Sequence, residues 1–373
     1  FPSGHSAVVP IVAAHLFSLS SLPRTMKAVR LFEYGDPSVL QYLDVPLPEL
    51  GSDDVLMRVR ATSVSNWDLR YRRGGLTPPP GRPPLPLPFQ LGREAAGEVV
   101  AVGAQVSRFK PGDRVVAMTC PACGSCDYCK RGLDNLCLNI GLPGHQRFGG
   151  YAEYVSRKEP ELLHAPNSIP FEKLACLLWS YATVWRMAIT RGSLRPGQDV
   201  LITAASSGMG TAAIQIARLA GAARIFGTTG STEKSGRLKQ MGVDHVLNYR
   251  EENVPARIRE LTNGLGVDLV LEFVGGEMFN IGMQCLRMAG TLVSGAQHGG
   301  RFITIDLDLL YRSDLIIQGA RASTRQDQEL VLTLSAKGKI DPIIHQLLPL
   351  RDAAEAHRIM ERQEHFGKIV LVP

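Results

Sequence analysis

Residues Val200–Ala213 read VLITAASSGMGTAA, and this stretch decides the fold class. An apolar run is followed by a turn of small residues and then by an amphipathic helix, an order typical of a parallel sheet. Small side chains at such a turn allow a pyrophosphate to reach the helix N-terminus, where free amides and the helix dipole favour an anion. The residues that the pattern predicts around this pyrophosphate are Ala205, Ser207, Gly208, Met209 and Gly210.

The glycine fingerprint of dinucleotide-binding turns is only partly kept here. Ala205 and Ser207 stand at two of its glycine positions, so a tightly packed turn without a ligand is the alternative interpretation. The placement of the turn directly after a strand and before a helix favours the dinucleotide site.

The same alternation of strand and helix continues over residues 181–321. Strand patterns such as RIFGT, HVLNY, VDLVLEF and TLVSGA alternate with helical patterns such as TEKSGRLKQMG and NVPARIRELTN. The stretch Glu277–Gly290, EMFNIGMQCLRMAG, is predicted as one further helix. Short apolar strands that alternate with helices of about 10 to 15 residues indicate βαβ units. We therefore predict a doubly wound parallel sheet and a dinucleotide-binding domain over 181–321.

The rest of the chain has the pattern of a β-rich domain. Short apolar runs broken by proline and glycine, such as KAVRLF, DVLMRVRAT, GEVVAVG and DRVVAM, predict strands. The closing stretch GKIVLVP follows an amphipathic helix, RDAAEAHRIMER, and is expected to join these strands. We predict an α/β protein whose β-rich catalytic domain covers 26–180 and 322–373. Residues 1–25 are expected to be an extension outside the fold, and the proline-rich stretch 77–88 a surface loop.

Composition and charge exclude several classes of function. The chain has 373 residues, of which 45% are hydrophobic and 20% charged, as is typical of a globular protein with two domains. Its 41 basic and 35 acidic residues give a net charge of +6. No run of Lys and Arg concentrates this charge into a basic stripe, so no nucleic-acid partner is expected. The longest apolar stretch, Ala7–Leu19, is too short for a membrane span, which needs about 18 residues. We expect a cytoplasmic protein without a membrane partner.

Five of the seven cysteines lie between residues 120 and 137, and their spacing is typical of a metal site. Four thiolates spaced C-x2-C-x2-C-x7-C can close a tetrahedral zinc site that leaves no position for water. The predicted ligands of this single structural zinc, within a lobe over 120–140, are Cys123, Cys126, Cys129 and Cys137. Cys120 remains a competing ligand, and a chance cluster of buried or reactive thiols is the alternative.

The loop after the second strand of the predicted dinucleotide domain reads GTTGSTEKSGR. An NAD-specific domain places Asp or Glu at the end of this strand, but here the first carboxylate is Glu233. Thr229, Ser231 and Lys234 instead offer hydroxyl donors and a cation, which suit the 2′-phosphate of NADPH. A polar loop with a helix N-cap is the alternative, and both interpretations disfavour NAD.

Several long stretches resemble the medium-chain dehydrogenase/reductase superfamily, and within it the quinone oxidoreductases and enone reductases. They include GREAAGEVVAVGAQVSRFKPGDRVVA, AASSGMGTAAIQIA and AAEAHRIMERQEHFGKIVLVP. The resemblance implies a GroES-like catalytic domain split around a Rossmann domain, with the active site in the cleft between them. It also implies that Tyr249 flanks the adenosine of the cofactor and that the protein is a homodimer or homotetramer.

In the alcohol dehydrogenase branch of this superfamily, three ligands hold a catalytic zinc. This chain has Ser65, Arg93 and Trp179 at those positions, and none of them is a credible zinc ligand. Arg93, beside Glu94 and near Asp68, is expected to replace the charge of the missing ion within a buried ion-pair cluster. A structural arginine far from the substrate is the alternative.

The missing zinc ligands favour reduction over alcohol oxidation. Oxidation of an alcohol needs its alkoxide stabilised, whereas a conjugated acceptor needs hydrogen-bond donors for the enolate that forms on its carbonyl. The candidate catalytic donors are Ser65, Asn66 and Arg93, with Trp179 as an apolar wall. We expect an NADPH-dependent reductase of a small quinone or α,β-unsaturated carbonyl compound. The alternatives are a zinc-type alcohol dehydrogenase and a non-enzymatic NADPH-binding protein.

Overall fold

A computed structural model of the chain describes residues 22–75 and 87–373. Most of the predicted N-terminal extension and most of the proline-rich stretch lie outside these ranges. The first strand begins at Thr25, one residue before the predicted start of the fold. No helix within the described ranges is long and apolar enough to cross a membrane.

The elements of the described ranges are numbered in chain order. The strands are β1 (Thr25–Leu31), β2 (Leu40–Pro46), β3 (Asp54–Val64), β4 (Glu94–Val102), β5 (Arg114–Ala117), β6 (Tyr154–Lys158), β7 (Leu162–His164), β8 (Asp199–Ile202), β9 (Arg224–Thr229), β10 (His245–Asn248), β11 (Val267–Glu272), β12 (Leu286–Ser294), β13 (Ile316–Gly319), β14 (Ile344–Pro349) and β15 (Lys368–Val372). The α-helices are α1 (Asn66–Arg72), α2 (Asp127–Lys130), α3 (Phe171–Leu174), α4 (Ala182–Trp185), α5 (Gly208–Leu219), α6 (Thr232–Gln240), α7 (Val254–Leu261), α8 (Glu277–Cys285), α9 (Leu307–Arg312), α10 (Arg325–Ala336) and α11 (Ala353–Glu361). Two π-helical segments, Leu177–Tyr181 and Arg186–Arg191, flank α4.

Six strands form the predicted parallel sheet, in the order β10-β9-β8-β11-β12-β13. Val200, Leu201 and Ile202 of the central strand β8 are apolar and fully buried, and Leu201 lies in register with Phe226 on one side and Val270 on the other. Strands buried on both faces need continuous apolar runs, which explains the pattern that the sequence shows. The strand order reverses between β8 and β11, and ligands of such sheets bind at the carboxyl ends of the strands beside this reversal.

A second, mixed sheet contains most strands of the β-rich part, in the order β14-β15-β3-β4-β5-β7, with β6 also pairing with β3. The closing strand β15 pairs with β3, where Val370 lies opposite Ser63. The sequence prediction that the last strand joins the β-rich half is therefore confirmed. This pairing brings the start of β15 next to the end of β3, where α1 begins.

One predicted helix is too long. Helix α8 ends at Cys285, and the residues LRMAG that were expected to continue it belong to β12. Leu286 has an extended backbone, with φ −69° and ψ 145°, and pairs with Val267 of β11. The apolar spacing of this stretch suits a helix or a strand. The strand forms because the edge of β11 offers backbone hydrogen-bond partners to β12.

One apolar core connects the two sheets. It contains the buried face of α5, the π-helical segment Leu177–Tyr181, and side chains from both sheets such as Ala61 and Ile202. Burial of a large aliphatic side chain contributes about 1.5 to 3 kcal/mol. The two halves are therefore packed together, and a cleft opens where this core ends.

Candidate active site in the interdomain cleft

A cleft of about 1310 Å³ is lined by residues of both sheets. The cleft has two ends: the Arg93 end contains Tyr71, Arg93, His145 and Trp179, and the Tyr249 end contains Thr229, Ser231, Lys234 and Tyr249. The predicted site residues that line the cleft are Ser65, Asn66, Arg93, Ser207, Gly208, Met209, Thr229, Ser231, Lys234 and Tyr249. Residues that were predicted for two different roles thus meet in one cavity.

Two predicted phosphate contacts, Ala205 and Gly210, lie behind the turn instead of on the cleft surface. Ala205 is fully buried. A Cβ atom at Gly210 would lie 2.4 Å from the carbonyl oxygen of Ala204, so only glycine fits there. These two residues shape the turn, and the surface that a phosphate could reach belongs to Ser207, Gly208 and Met209.

Ser207 begins helix α5. Its Oγ accepts a hydrogen bond of 3.0 Å from the backbone N–H of Gly210, so Ser207 is the N-cap of a 12-residue helix. The closing strand lies against this turn, because the N–H of Gly367 donates to the carbonyl of Ser206 at 2.8 Å. The start of the helix, with its free amides, therefore lines the cleft beside the segment that leads into β15.

The Tyr249 end surrounds Gly230. A Cβ atom at Gly230 would lie 2.6 Å from Tyr249 Oη and 3.0 Å from Arg250 Nε, so both side chains close on this glycine. Sequence reasoning missed Arg250, although its position directly after Tyr249 beyond the third strand was a usable signal. Glu233 and Glu364 line the same cleft and both act electrostatically on Lys234, so carboxylates accompany the hydroxyls and cations.

Lys234 has an additional structural role. Its Nζ donates hydrogen bonds to the carbonyls of Gln363, at 2.5 Å, and His365, at 2.8 Å. Burial lowers the pKa of this lysine. An ammonium group has three donors, so one N–H remains for a ligand in the cleft.

At the opposite end, Arg93 is buried, with only 3% of its surface exposed. Its Nη2 donates to Tyr71 Oη at 3.1 Å, and its guanidinium lies 4.8 Å from the centre of the Trp179 ring. Arg93 Nε and Nη1 have no hydrogen-bond partner among the described residues. A buried cation with unused donors that lines a cleft can bind a negatively charged oxygen.

The expected ion-pair cluster around Arg93 does not form. Among the ion pairs of the described ranges, Arg93 has none with Glu94 or Asp68. Glu94 instead pairs with Lys368 at 2.9 Å, and it also accepts hydrogen bonds from Ser63 Oγ and the backbone N–H of Trp179. Lys368 satisfies the carboxylate because β15 lies beside β3, so Arg93 remains available to the cleft.

Ser65 is the N-cap of α1. Its Oγ donates to Asp68 Oδ2 at 2.7 Å, and its backbone N–H donates to the same oxygen at 2.8 Å. Burial raises the pKa of Asp68, and the hydrogen bonds from Ser65 and Gly92 oppose that rise. The Ser65 hydroxyl is thus engaged in a helix cap, whereas the neighbouring Asn66 is exposed on the cleft wall.

Tyr71 and His145 complete the Arg93 end, and sequence reasoning missed both. Tyr71 Oη lies 3.0 Å from His145 Nδ1, and the two rings stack with centres 4.6 Å apart. Burial raises the pKa of the Tyr71 hydroxyl, which is therefore neutral at ordinary pH. Tyr71 follows Asp68 by three residues on α1, which was a usable signal; His145 stands alone in a loop and gave none.

The four predicted cysteines of the lobe meet. The Sγ atoms of Cys123, Cys126, Cys129 and Cys137 all lie within 4.8 Å of one another. Zinc–sulfur bonds of about 2.3 Å place tetrahedral ligands about 3.8 Å apart, so this donor set fits zinc. Cys137 Sγ accepts hydrogen bonds of 3.3 Å from the N–H groups of Cys123 and Asn139, as a thiolate would. Cys120 is not in the group; it is buried and lines the cleft.

No second set of three or more potential metal ligands is found within 22–75 and 87–373. Ser65, Arg93 and Trp179 therefore lie near no such set among the residues that the structure describes.

Comparisons with known proteins agree with both halves of the fold. A family model described as the alcohol dehydrogenase GroES-like domain matches residues 51–167, and one described as zinc-binding dehydrogenase matches residues 208–337. A quinone oxidoreductase of Pseudomonas aeruginosa is 32% identical over 93% of this chain and 99% of its own length. An NAD-dependent alcohol dehydrogenase of Sulfolobus acidocaldarius is also 32% identical, over 93% of this chain and 99% of its own length.

A solved structure of an NAD-dependent alcohol dehydrogenase superposes with a TM-score of 0.87 at 36% identity. The match covers 93% of this chain and 100% of the chain in that structure. The mixed sheet is therefore a GroES-like domain and the parallel sheet a Rossmann-type domain. The chain belongs to the medium-chain dehydrogenase/reductase superfamily of oxidoreductases, in which it resembles the quinone oxidoreductase branch.

Proposed function

We propose that this protein reduces quinones or α,β-unsaturated carbonyl compounds with NADPH and uses no catalytic metal. The observation that carries the proposal is the buried Arg93 guanidinium, whose Nε and Nη1 are unpartnered beside the cleft. Arg93 occupies one of the three positions whose side chains, by the family resemblance, hold the catalytic zinc in the alcohol dehydrogenase branch. The similarity to a quinone oxidoreductase supports the same assignment.

The cofactor proposal assigns the two ends of the cleft. Ser207, Gly208 and Met209 would hold the diphosphate at the start of α5, where free amides face the cleft. Thr229, Ser231, Lys234 and Tyr249, together with Arg250, would hold the adenosine and its 2′-phosphate. Tyr249 Oη and Arg250 Nε both close on Gly230, so the two donors would lie on the same side of that group. When bound, the reduced nicotinamide supplies a hydride.

Arg93 would stabilise the negative charge that develops on the acceptor. Hydride addition to a conjugated C=C bond moves an electron pair onto the carbonyl oxygen, and a preorganised donor at that oxygen lowers the barrier. Tyr71 and Trp179 hold the guanidinium beside the cleft, so the role requires only the small shift that opens its buried Nε or Nη1 to the substrate. Asn66 is a second donor on the same wall, while Ser65 acts through the cap of α1.

Tyr71 would supply the proton that completes the reduction of a C=C bond. Its hydroxyl accepts a hydrogen bond from Arg93 and lies within hydrogen-bond distance of His145. Transfer of the Tyr71 proton to the α-carbon leaves a phenolate, which Arg93 stabilises and His145 reprotonates. The saturated carbonyl compound then gains one hydride and one proton in total.

The proposal also includes one structural zinc per chain. The four Sγ atoms of the lobe fit a tetrahedral ion, and four protein ligands leave no position for substrate. The metal would hold the lobe together, because the segment 120–140 contributes only a small apolar cluster.

The experiment that tests the function compares two reactions of the purified protein. NADPH oxidation is measured with a panel of quinones and enones, and NADP or NAD reduction with primary and secondary alcohols. We expect the first reaction to dominate. Dominant alcohol oxidation that chelators abolish without unfolding the protein would replace the proposal with a zinc alcohol dehydrogenase. Tight NADPH binding without turnover on either panel would indicate a non-enzymatic binding protein.

A further inference from the structure

A second pocket adjoins the cleft at its Arg93 end. It has a volume of about 440 Å³, against about 1310 Å³ for the cleft. Five residues line both cavities: Trp67, Gly295, Ala296, Ala320 and Arg321. These five residues therefore form the partition between the cleft and the second pocket.

Trp67 is the one bulky apolar side chain in this partition. It belongs to helix α1 of the GroES-like domain. The small residues Gly295, Ala296 and Ala320 follow strands β12 and β13 of the Rossmann-type domain, and Arg321 is exposed. The Rossmann-type side of the partition thus has little side-chain volume, and the indole ring of Trp67 occupies the space that remains.

Three neighbours hold the Trp67 ring in place. The Tyr71 ring, on the same helix, has its centre 5.8 Å away, and the Arg70 guanidinium lies 5.6 Å from the indole centre. His298, in the loop after β12, meets the indole edge-on with the ring centres 6.0 Å apart. Ring contacts of these kinds favour a defined orientation. Contacts from both domains therefore fix the indole between the two cavities.

We propose that Trp67 determines the size of the acceptor: its ring closes the passage to the second pocket, so the protein reduces compact conjugated carbonyl compounds and excludes those with a bulky arm on that side. The inference rests on the proposed function, because it places the reacting carbonyl beside Arg93. Trp67 borders that position, since its ring packs on Tyr71, which accepts a hydrogen bond from Arg93. A smaller side chain at position 67 joins the two cavities.

The test compares three enones with the same reacting group. Ethylideneacetone is compact, (cyclohexylmethylidene)acetone carries a cyclohexyl ring on the β-carbon, and cyclohexyl propenyl ketone carries the ring on the carbonyl carbon. For Trp67→Ala we expect kcat/KM of at least one bulky enone, relative to the compact one, to rise by about 10-fold or more. Trp67→Leu keeps an apolar side chain on α1 and should give a smaller rise. Unchanged ratios in both variants would overturn the inference.

Gln297 provides the matched controls, because it lines the second pocket but not the cleft. Gln297→Ala enlarges the pocket without opening the passage and should leave the ratios of the three enones unchanged. The double variant Trp67→Ala/Gln297→Trp refills the pocket and should reverse the gain of Trp67→Ala. A gain that persists in the double variant would show that the bulky arm does not enter this pocket and would overturn the inference.

A binding measurement separates this inference from the proposed function. Cyclohexyl propyl ketone and cyclohexylethyl methyl ketone are the saturated forms of the two bulky enones and cannot react with NADP. Each is titrated into protein saturated with NADP, with ligand-observed NMR as the readout. A Kd for either ketone that is lower by about 10-fold or more in Trp67→Ala supports the role of Trp67 even if no enone is reduced. Unchanged Kd values would overturn that role, while the quinone and enone assay still decides the function.

Discussion

Lys368 Nζ lies 2.9 Å from Glu94 Oε2, and these two buried side chains join the closing strand β15 to the start of β4. The lysine also donates to the carbonyl of Val64 at 3.3 Å, and its stem packs so closely on Gly208 that a Cβ there would lie 2.6 Å from Lys368 Cδ. Burial lowers the pKa of Lys368, but Glu94 raises it further, so the net shift is upward and the pair stays charged. One residue thus connects the GroES-like sheet, the last strand and the dinucleotide turn.

Replacement of Lys368 by Met should destabilise the fold strongly. The Glu94 carboxylate would remain buried without a cation, and loss of one partner of a buried pair costs about 3 to 5 kcal/mol. Denaturant unfolding monitored by circular dichroism measures the change. Arg312→Gln, at an exposed pair with Asp308, is the matched control and should change stability little. The double variant Glu94→Gln/Lys368→Met should recover part of the loss; unchanged stability in Lys368→Met would contradict the role of the pair.

The lobe should bind one zinc per chain, and Cys126→Ser should remove it. Loss of one thiolate opens the tetrahedral site and lowers the folding free energy that the metal contributes to the lobe. Metal content by mass spectrometry and protease sensitivity of residues 120–140 are the readouts. Cys285→Ser, a buried cysteine outside the lobe, serves as the control and should keep its zinc. Two zinc ions per chain in the unaltered protein would contradict this prediction.

Lys234→Ala and Arg250→Ala should weaken NADPH binding and leave NADH binding nearly unchanged. A charge-assisted contact to the 2′-phosphate contributes about 1.5 to 3 kcal/mol, which corresponds to roughly 10-fold or more in Kd. Fluorescence titration with both cofactors measures the difference. Lys234 also holds the carbonyls of Gln363 and His365, so Lys234→Ala should lower thermal stability as well. Equal losses of affinity for NADPH and NADH in Arg250→Ala would refute the 2′-phosphate site.

Tyr71→Phe should distinguish carbon protonation from oxygen protonation. An enone needs a proton on carbon, and a positioned acid contributes about 10²- to 10⁴-fold to such a step. A reduced quinone takes its protons on oxygen, which water supplies readily. We therefore expect a drop of about 100-fold in kcat for enones and a small change for quinones. His145→Gln should act in the same direction. Equal losses on both acceptors would show that Tyr71 only supports the fold.

The stability of the protein should fall between pH 6.5 and pH 5. His357 is fully buried, and burial together with Arg72 holds its pKa well below the usual 6.5. His365 is also neutral in the folded protein at pH 5 to 6.5, because burial lowers its pKa to about 4. Below pH 6.5 the unfolded chain binds protons that the folded chain does not, so each such histidine costs up to about 1.4 kcal/mol per pH unit. Unfolding free energies at pH 7.5, 6.0 and 5.0 measure the slope.

His357→Gln separates this effect from the titration of carboxylates. The variant loses the hydrogen bond with Tyr151 and starts less stable, but the readout is the slope with pH and not the absolute stability. We expect the slope between pH 6.5 and 5 to decrease by about one proton. An unchanged slope would show that His357 is protonated in the folded protein.

Local patterns in the sequence determined the class of the fold, the turn at Val200–Ala213 and the four cysteines of the lobe. In each case the residues that act together lie close along the chain, so their spacing already restricts their geometry. The Cys123–Cys137 loop spans few enough residues that its own backbone brings the thiols together.

The tertiary structure alone decided which side chains pair with one another at the Arg93 end. Glu94 and Lys368 are 274 positions apart, and Tyr71 and His145 are 74 apart, so no spacing rule links them. Whether Arg93 is paired or free depends on β15 lying beside β3, because that pairing delivers Lys368 to Glu94. The predicted length of helix α8 was too great for a related reason. The apolar pattern of residues 286–290 allows a helix or a strand, and pairing with β11 selects the strand. Charge pairing and strand choice are properties of topology, which distant parts of the chain set together.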